Sequence, residues 1–295
     1  MTSIKSPQLV SPRLVALGDN CLDVYLTKDL MTVGGNALNV AAQWCRNGWP
    51  ASYFGVVGAD PEANVVLAEI ETVGLSQDDV ERRPGETAVT LLRDEFGDRK
   101  FLLESLGAGR DYIPMDKHYQ LAATADWVHL GTNANAELVR RLVADRVPFS
   151  IDVSTAHLAL PLSGVPLVFA SGPEDTAEPV EPLLAAIKAA GARQVVLTCG
   201  RRGAFFSDGN SLLHGSATPV EVVDTCGAGD SFIASFLTAS TCEGLGAAEA
   251  LRKAAAAAAQ TCLHLGGFPQ QPRRIPDWLL AKYDTFIMPA EGEKA

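Results

Sequence analysis

Eight residues in the last third of the chain read Val223-Asp224-Thr225-Cys226-Gly227-Ala228-Gly229-Asp230, and an apolar segment follows them at once. The start of a helix leaves backbone N–H groups without partners, and the helix dipole favours negative charge there. Gly227 and Gly229 allow a tight turn and let a ligand come close to the backbone. Asp230 would then lie beside a bound anion, where it can meet a hydroxyl. The stretch suits the transfer of a phosphoryl group to an alcohol.

A simpler interpretation of Asp230 is that it only caps the helix, and for this motif taken alone the cap is favoured. The apolar residues Phe232, Ile233, Phe236 and Leu237 have helical spacing, so the helix itself is predicted. The chain contains no Gly-x-x-x-x-Gly-Lys-[Ser/Thr] sequence, which excludes a P-loop kinase. No Gly-x-Gly-x-x-Gly follows the first predicted strand, which disfavours a Rossmann dehydrogenase.

Length and composition indicate a globular protein. The 295 residues are 47% hydrophobic and 20% charged, enough for one large α/β domain spanning residues 1–295 with an elaboration. A formal net charge of −11 disfavours nucleic acid or an anionic membrane as the main partner. An anionic substrate remains compatible with that charge, because a backbone nest or Mg²⁺ reverses the field locally.

Cysteine usage and the N-terminal residues favour a reducing compartment. No Cys-x-x-Cys pair occurs, so the cysteines are expected to be free thiols. The six cysteines are Cys21, Cys45, Cys199, Cys226, Cys242 and Cys262. The first residues lack the apolar segment of a secretory signal, and no apolar run is long enough to span a bilayer. We expect a soluble, cytoplasmic protein without a membrane partner.

Apolar runs alternate with helical patterns along most of the chain, which predicts a mostly parallel sheet covered by helices on both faces. Helices are predicted at residues 36–47 and 61–73. Strands are predicted at residues 14–17, 53–57, 127–130, 149–153, 167–170 and 195–198.

One region departs from this alternation. Residues 86–92 and 99–103 flank a turn-rich stretch at 94–98, which predicts an antiparallel hairpin. Residues 23–33 can add further strands to it. We interpret segments 23–33 and 86–104 as a small β lid inserted in the α/β core, although an ordinary edge hairpin fits the pattern equally well.

Three further stretches combine glycine with polar side chains. Gly34-Gly35-Asn36-Ala37-Leu38-Asn39 opens a predicted helix and offers two amides to a polyol, or a simple turn in which Asn36 caps the helix. Gly18-Asp19-Asn20-Cys21-Leu22-Asp23 follows the first strand, where ligands gather in open α/β sheets. Its two carboxylates could equally be turn and cap residues. Thr198-Cys199-Gly200-Arg201-Arg202-Gly203 suggests triphosphate contact, or a basic turn.

Together these motifs resemble the PfkB (ribokinase-like) family of carbohydrate kinases, over residues 15 to about 267. Two family signatures are present, at Gly34–Asn39 and at Asp224–Asp230. Among subfamilies, the sequences from Gly18 to Tyr25 and from Gly34 to Ala41 look most like those of fructoselysine 6-kinases. The resemblance implies a ribokinase-like α/β fold with a β lid. It also implies an ATP-dependent kinase acting on a hydroxyl of a small sugar or sugar–amine adduct.

The resemblance also implies roles for individual residues. Asp230 is similar to the catalytic base of the family, and Gly227, Ala228 and Gly229 to its anion hole. The positions that match substrate contacts are Asp23, Gly35, Asn36 and Asn39. The nucleotide segment is matched by Thr198, Gly200 and Gly203. Glu174 matches a residue linked to Mg²⁺ through water, and Asp224 lies at a position near a K⁺ site in some members.

The substrate is left open by departures from the family pattern. Ribokinases carry a sugar-binding glutamate where this chain has Gly131-Thr132-Asn133, and Ser171 replaces the asparagine of an Asn-x-x-Glu motif. The alternatives are a ribose, nucleoside or 2-keto-3-deoxygluconate kinase, or a non-catalytic relative that binds sugar or nucleotide. An apolar face on the lid would allow two copies to pair as a homodimer.

Overall fold

The computed structural model describes residues 12–95 and 98–287, and the main chain forms two sheets with helices packed around the larger one. The turn predicted at 94–98 includes residues 96 and 97, which lie outside the described residues. The α-helices are α1 (Asn36–Arg46), α2 (Pro61–Thr72), α3 (Asp116–Ala123), α4 (Ala136–Ala144), α5 (Glu181–Ala189), α6 (Ala228–Leu237), α7 (Ala247–Thr261), α8 (Asp277–Lys282) and α9 (Asp284–Ile287).

The strands agree closely with the predicted ones where prediction was attempted. They are β1 (Leu14–Leu17), β2 (Cys21–Tyr25), β3 (Leu30–Gly34), β4 (Ala51–Val57), β5 (Val80–Arg82), β6 (Val89–Glu95), β7 (Asp98–Ser105), β8 (Trp127–Leu130), β9 (Phe149–Asp152), β10 (Leu167–Ser171), β11 (Gln194–Thr198), β12 (Ala204–Ser207), β13 (Leu212–Gly215) and β14 (Arg273–Arg274). Single-turn segments lie at Leu26–Lys28, Gln77–Asp79, Gly107–Gly109, Gly200–Arg202 and Thr238–Cys242.

The larger sheet has the order β13-β12-β11-β10-β9-β8-β1-β4-β5. Strands β11 through β5 in this order run parallel, and β12 and β13 add an antiparallel edge. Alternate residues of β1 face opposite layers: Leu14 packs in a core with α1, α2, α6 and α7, and Val15 packs in a core with α3, α4 and α5. The predicted mostly parallel sheet with two covered faces is confirmed.

The smaller sheet has the order β14-β3-β2-β6-β7. The predicted hairpin is present as the antiparallel pair β6 and β7, and residues 23–33 do join it through β2 and β3. Strand β2 pairs with β6 in parallel, and β14 adds an edge that the sequence did not indicate. The strands are confirmed, and the lid role of this sheet stays a prediction.

The carboxyl ends of the parallel strands place several loops at one edge of the larger sheet. Strand β1 ends at Leu17, β9 at Asp152 and β11 at Thr198. Helices α1 and α6 pack against each other, and the indole Nε1 of Trp44 donates to the Ala234 carbonyl at 3.1 Å. Hydrogen bonds between residues of their first turns show that the N-terminal ends of the two helices also meet, at the edge where α/β proteins bind ligands.

Helix α7 contains the alanine-rich stretch at 254–259. Ala254, Ala255 and Ala259 are buried against the core, as expected for small side chains at a close helix contact. Across the described ranges, no helix combines the length and the apolar character needed to cross a membrane.

A pair of glycine substitutions tests the backbone geometry at the start of α1. Gly35 has φ of +105°, and a methyl group there would overlap the Asn20 backbone. Gly48 also has positive φ, +81°, but a methyl group there meets no atom within 4 Å. We expect Gly48→Ala to cost about 1 to 2 kcal/mol of unfolding free energy, from backbone strain alone. Gly35→Ala should cost about 3 kcal/mol or more. Urea unfolding measures both, and equal losses would contradict the overlap.

Candidate active site

The glycine loop and the start of α6 form the centre of the site. Gly227 is the residue before the helix, with φ of +72°, and a methyl group there would overlap the Gly267 backbone. Gly229 lies in the first turn and has open space where a side chain would begin. The Ala228 N–H donates to the Thr225 carbonyl at 3.2 Å. The other N–H groups at this helix start lack an acceptor one turn earlier in the helix, so they can bind an anion.

Asp230 is the third residue of α6, and its carboxylate does not cap that helix. Instead Oδ1 accepts a hydrogen bond from Asn36 Nδ2 at 2.6 Å, and Oδ2 accepts one from Asn39 Nδ2 at 2.6 Å. The two asparagines lie three residues apart in α1, so both amides face the same side of that helix. The cap interpretations of Asp230 and of Asn36 are therefore wrong.

Asp152, the last residue of β9, is a second carboxylate in the site. The same amide nitrogen of Asn36 donates to Asp152 Oδ2 at 2.8 Å. Loss of solvent around the carboxyl groups raises the pKa of Asp230 and of Asp152 to about 7 each. The charge of Asp19 raises both pKa values further, and the charge of Asp152 also raises that of Asp230. Sequence reasoning did not single out Asp152. Its position at the end of a parallel strand was the available signal.

For Asp19, in the β1–β2 loop, the structure favours a helix-capping role over a direct contact with sugar hydroxyls. Its carboxylate accepts hydrogen bonds from the N–H groups of Asn36 at 2.7 Å and of Ala37 at 3.2 Å. It therefore caps α1 from a neighbouring loop, and Gly35, the residue before α1, makes no side-chain cap. Burial raises the pKa of Asp19, against the lowering effect of these N–H donors.

Asp23 lies on β2 between two thiols. Cys21 Sγ donates to Oδ1 at 3.2 Å and Cys226 Sγ contacts Oδ2 at 3.8 Å. Burial, with Asp23 next in importance, raises the pKa of both thiols, so they remain protonated donors. A methyl group on Gly34 would come 2.5 Å from Asp23 Oδ2, so the absence of a side chain there makes room for the carboxylate.

Asp224 joins the glycine loop to the rest of the site. Its buried carboxylate accepts hydrogen bonds from Tyr25 Oη at 3.0 Å, from Gly266 N at 3.0 Å and from Cys226 N at 3.1 Å. The Gly266-Gly267 turn was not singled out in the sequence analysis. This turn lies against the Asn39 amide, which a side chain on Gly267 would overlap. The Asp224 contacts tie the glycine loop to β2 and to Gly266.

The predicted nucleotide residues form a second group at the ends of β10 and β11. Thr198 ends β11, Gly200 begins the next turn, and the Gly203 N–H closes that turn onto the Gly200 carbonyl at 3.0 Å. The exposed Glu174 carboxylate lies over Gly200, since a methyl group there would come within 2.6 Å of it.

The contacts of Arg202 support the interpretation of this stretch as a basic turn. Its Nη1 donates to the carbonyls of Pro173, Asp175 and Glu178 at 3.1, 2.7 and 2.8 Å. The guanidinium therefore fastens the loop after β10 to the turn after β11. Within the described part of the chain, no group of three or more His, Cys, Asp or Glu side chains is arranged to hold a metal ion.

A small cleft of about 30 Å³ adjoins the site on the side of Asp19. Thr132 and Tyr112 line it, together with apolar residues from the smaller sheet's neighbourhood such as Ala88 and Leu106. A space of this size holds one or two water molecules beside Asp19.

Comparison with known proteins identifies close sequence relatives. The model of the pfkB family carbohydrate kinases matches residues 162–273. The chain is 33% identical to the fructosamine kinase FrlD of Bacillus subtilis, over 90% of this chain and 96% of the relative. It is 30% identical to the fructoselysine 6-kinase of Escherichia coli, over 86% of this chain and 99% of the relative.

Solved structures share the fold. The ribokinase of Arabidopsis thaliana, complexed with ribose and ATP, superposes with a TM-score of 0.76 at 23% identity, covering 92% of this chain and 98% of that one. A fructokinase of Vibrio cholerae with bound fructose, ADP and potassium ion gives a TM-score of 0.69 at 20% identity, covering 88% and 95%. These likenesses establish the ribokinase-like α/β fold.

Two glycines of the loop give a matched test of its geometry. We expect Gly227→Ala to lower the free energy of unfolding by about 2 kcal/mol or more, because the methyl group overlaps Gly267 and φ is unfavourable. Gly229→Ala should leave it unchanged or raise it by at most about 1 kcal/mol, since the added methyl meets open space. Urea unfolding measures both variants. A Gly229→Ala loss as large as that of Gly227→Ala would contradict the described loop.

Proposed function

The chain belongs to the pfkB family of carbohydrate kinases, and we propose that it transfers the γ-phosphoryl group of ATP to a hydroxyl of a sugar–amine adduct of the fructosamine type. The kinase activity is that of its family. The acceptor class is supported by the two relatives named for fructosamine and fructoselysine.

The observation that carries the proposal is the environment of Asp230. Its carboxylate lies next to the open first turn of α6 and is oriented by two amides. Burial raises its pKa to about 7, where a general base is most effective at neutral pH. We assign to Asp230 the removal of the acceptor's proton as the hydroxyl oxygen attacks phosphorus.

The backbone N–H groups of Gly227, Ala228 and Gly229 are the proposed anion hole. They belong to the start of α6, where the helix dipole adds positive potential. Negative charge that develops on the transferred phosphoryl group and its leaving oxygen would be stabilised there without reorganisation of the protein. The lack of a side chain at Gly229 leaves the approach open.

The acceptor would be held between the two sheets. Asp23 on β2 and Asn39 on α1 are the proposed hydroxyl contacts. Asn36 is a further one, which would bind the acceptor in place of its hydrogen bond to Asp152. Gly35 allows the chain to enter α1 against the Asn20 backbone, which places both amides. The smaller sheet is the proposed lid, which would exclude water and so limit ATP hydrolysis.

ATP would bind at Thr198, Gly200 and Gly203, with Mg²⁺ on its phosphates. Mg²⁺ keeps several waters and usually takes one or two protein carboxylates plus phosphate oxygens. Glu174 beside Gly200 fits this requirement as a single exposed carboxylate. The ion would neutralise phosphate charge, and Glu174 would orient its water ligands.

Asp224 is the proposed neighbour of a K⁺ ion. It places a buried negative charge at the base of the anion-binding loop, and its described hydrogen bonds fix it to Tyr25, Cys226 and Gly266. A bound monovalent cation there would balance this charge and support the loop geometry. The potassium ion in the fructokinase structure is consistent with such a site.

The acceptor proposal and the base assignment are tested together by replacing Asp230. With ATP and Mg²⁺, we expect ADP release to depend on a fructosamine acceptor and to exceed that with ribose, a nucleoside or 2-keto-3-deoxygluconate. Asp230→Asn should lower turnover by at least about 10²-fold, the usual size of a general-base contribution.

A surface carboxylate provides the control. The Asp116 side chain is 92% exposed in the first turn of α3, so Asp116→Asn should retain full turnover. A correctly folded Asp230→Asn enzyme near the wild-type rate would overturn the base assignment. Preference for ribose or a nucleoside would overturn the acceptor class while leaving the base assignment intact.

The pH dependence follows from the raised pKa of Asp230. An ordinary aspartate would stay ionised down to about pH 4. Because burial raises this pKa to about 7, the base takes up its proton as pH falls through that value. We expect kcat/KM to be constant above that region and to fall about tenfold per pH unit below it. A profile that stays flat down to about pH 5 would show that no such group controls the reaction.

A further inference from the structure

A chain of hydrogen bonds runs behind the site from the interior of the larger sheet. The indole Nε1 of Trp127 lies 3.1 Å from Ser150 Oγ, and Ser150 Oγ lies 2.9 Å from His129 Nδ1. His129 Nε2 lies 3.2 Å from Asn36 Oδ1. Ser150 and His129 are fully buried, on adjacent strands β9 and β8. The chain ends on the amide that contacts both Asp230 and Asp152.

The donors in this chain have one consistent direction. An indole N–H only donates, so Ser150 Oγ accepts from Trp127. The Asn36 oxygen only accepts, so the bond to His129 requires a proton on Nε2, and the unprotonated Nδ1 then accepts the Ser150 hydroxyl proton. The neutral imidazole therefore donates from Nε2 to Asn36 Oδ1. With its oxygen held there, Asn36 directs both N–H bonds of its amide toward carboxylates.

The opposite orientation of the amide would be unfavourable in the active enzyme. Asn36 Oδ1 would then face ionised Asp230 and Asp152, while the amide nitrogen would face His129. Asp19, in the β1–β2 loop, adds a third negative charge on the same side. His129 does not titrate in the working range, because burial lowers its pKa to about 3.

We propose that Trp127, Ser150 and His129 are positioning residues for the reaction, which fix the Asn36 amide so that it donates to Asp230 and keeps this base ionised at neutral pH. The proposal rests on the proposed function, since it acts through the base. Burial raises the pKa of Asp230, and donation from Asn39 and, to a smaller extent, from Asn36 lowers it. Loss of the His129 donor would free the amide to turn, and Asp230 would hold its proton to higher pH.

The test compares His129→Leu with His129→Gln in the full-length enzyme. Glutamine can still donate to Asn36 and accept from Ser150, whereas leucine fills the space without donors. For His129→Leu we expect the acid limb of kcat/KM to move up by about one pH unit, from partial loss of a charge-assisted hydrogen bond. His129→Gln should keep the wild-type limb. At high pH, where Asp230 is ionised in both enzymes, His129→Leu should lower kcat/KM less than it does at neutral pH.

A second variant covers a His129→Leu protein that fails to fold. Ser150→Ala removes the proton that selects the imidazole tautomer, and it should move the limb in the same direction by a smaller amount. Unchanged limbs in folded His129→Leu and Ser150→Ala, or an equal shift in His129→Gln, would overturn the proposal. Failure of the base assignment can be distinguished from failure of this proposal, because in the former case the Asp230→Asn enzyme would retain turnover.

Discussion

The site depends on one interaction, the pair of hydrogen bonds that the α1 amides of Asn36 and Asn39 make to Asp230 at the start of α6. It forms only if the two helix starts meet at the edge of the sheet. Gly267 allows this meeting, because it has no side chain between Gly227 and the Asn39 amide. Backbone contacts that exclude a Cβ therefore position groups from three distant parts of the chain.

The same arrangement concentrates negative charge at the place where the proposed reaction would bring the phosphates of ATP. Asp19, Asp152 and Asp230 face the start of α1, and burial raises the pKa of each carboxyl. Backbone and amide N–H donors stabilise the ionised forms in opposition to burial. A carboxylate in this balance is a stronger base than one in water. The first turn of α6 and a phosphate-bound cation would neutralise the charge of ATP. The groups that bind the phosphates would therefore differ from the amides that orient the base.

The sequence allowed the sheet, the hairpin and the glycine motifs to be predicted, because these are encoded in local patterns. Asp230 and Asn39 were found because each stands in a glycine-containing helix start. A capping role for Asp19 was one of two interpretations, although the helix that it caps was not identified; the second carboxylate of Asp152 and the position of His129 were not found. Each depends on which strands and loops are neighbours in space, and residues 36 and 129 become neighbours only after β8 pairs with β1. Local patterns contain no record of that pairing.

The central claim is that Asp230 accepts the proton of the hydroxyl that attacks ATP. The most direct measurement is a crystal structure with a fructosamine acceptor and an unreactive ATP analogue. The account predicts one acceptor hydroxyl at about 2.6 to 3.2 Å from the Asp230 carboxylate, in line with the γ-phosphorus. An acceptor whose reactive hydroxyl instead contacts Asp152 or Asp19, with Asp230 still bound only to Asn36 and Asn39, would contradict it.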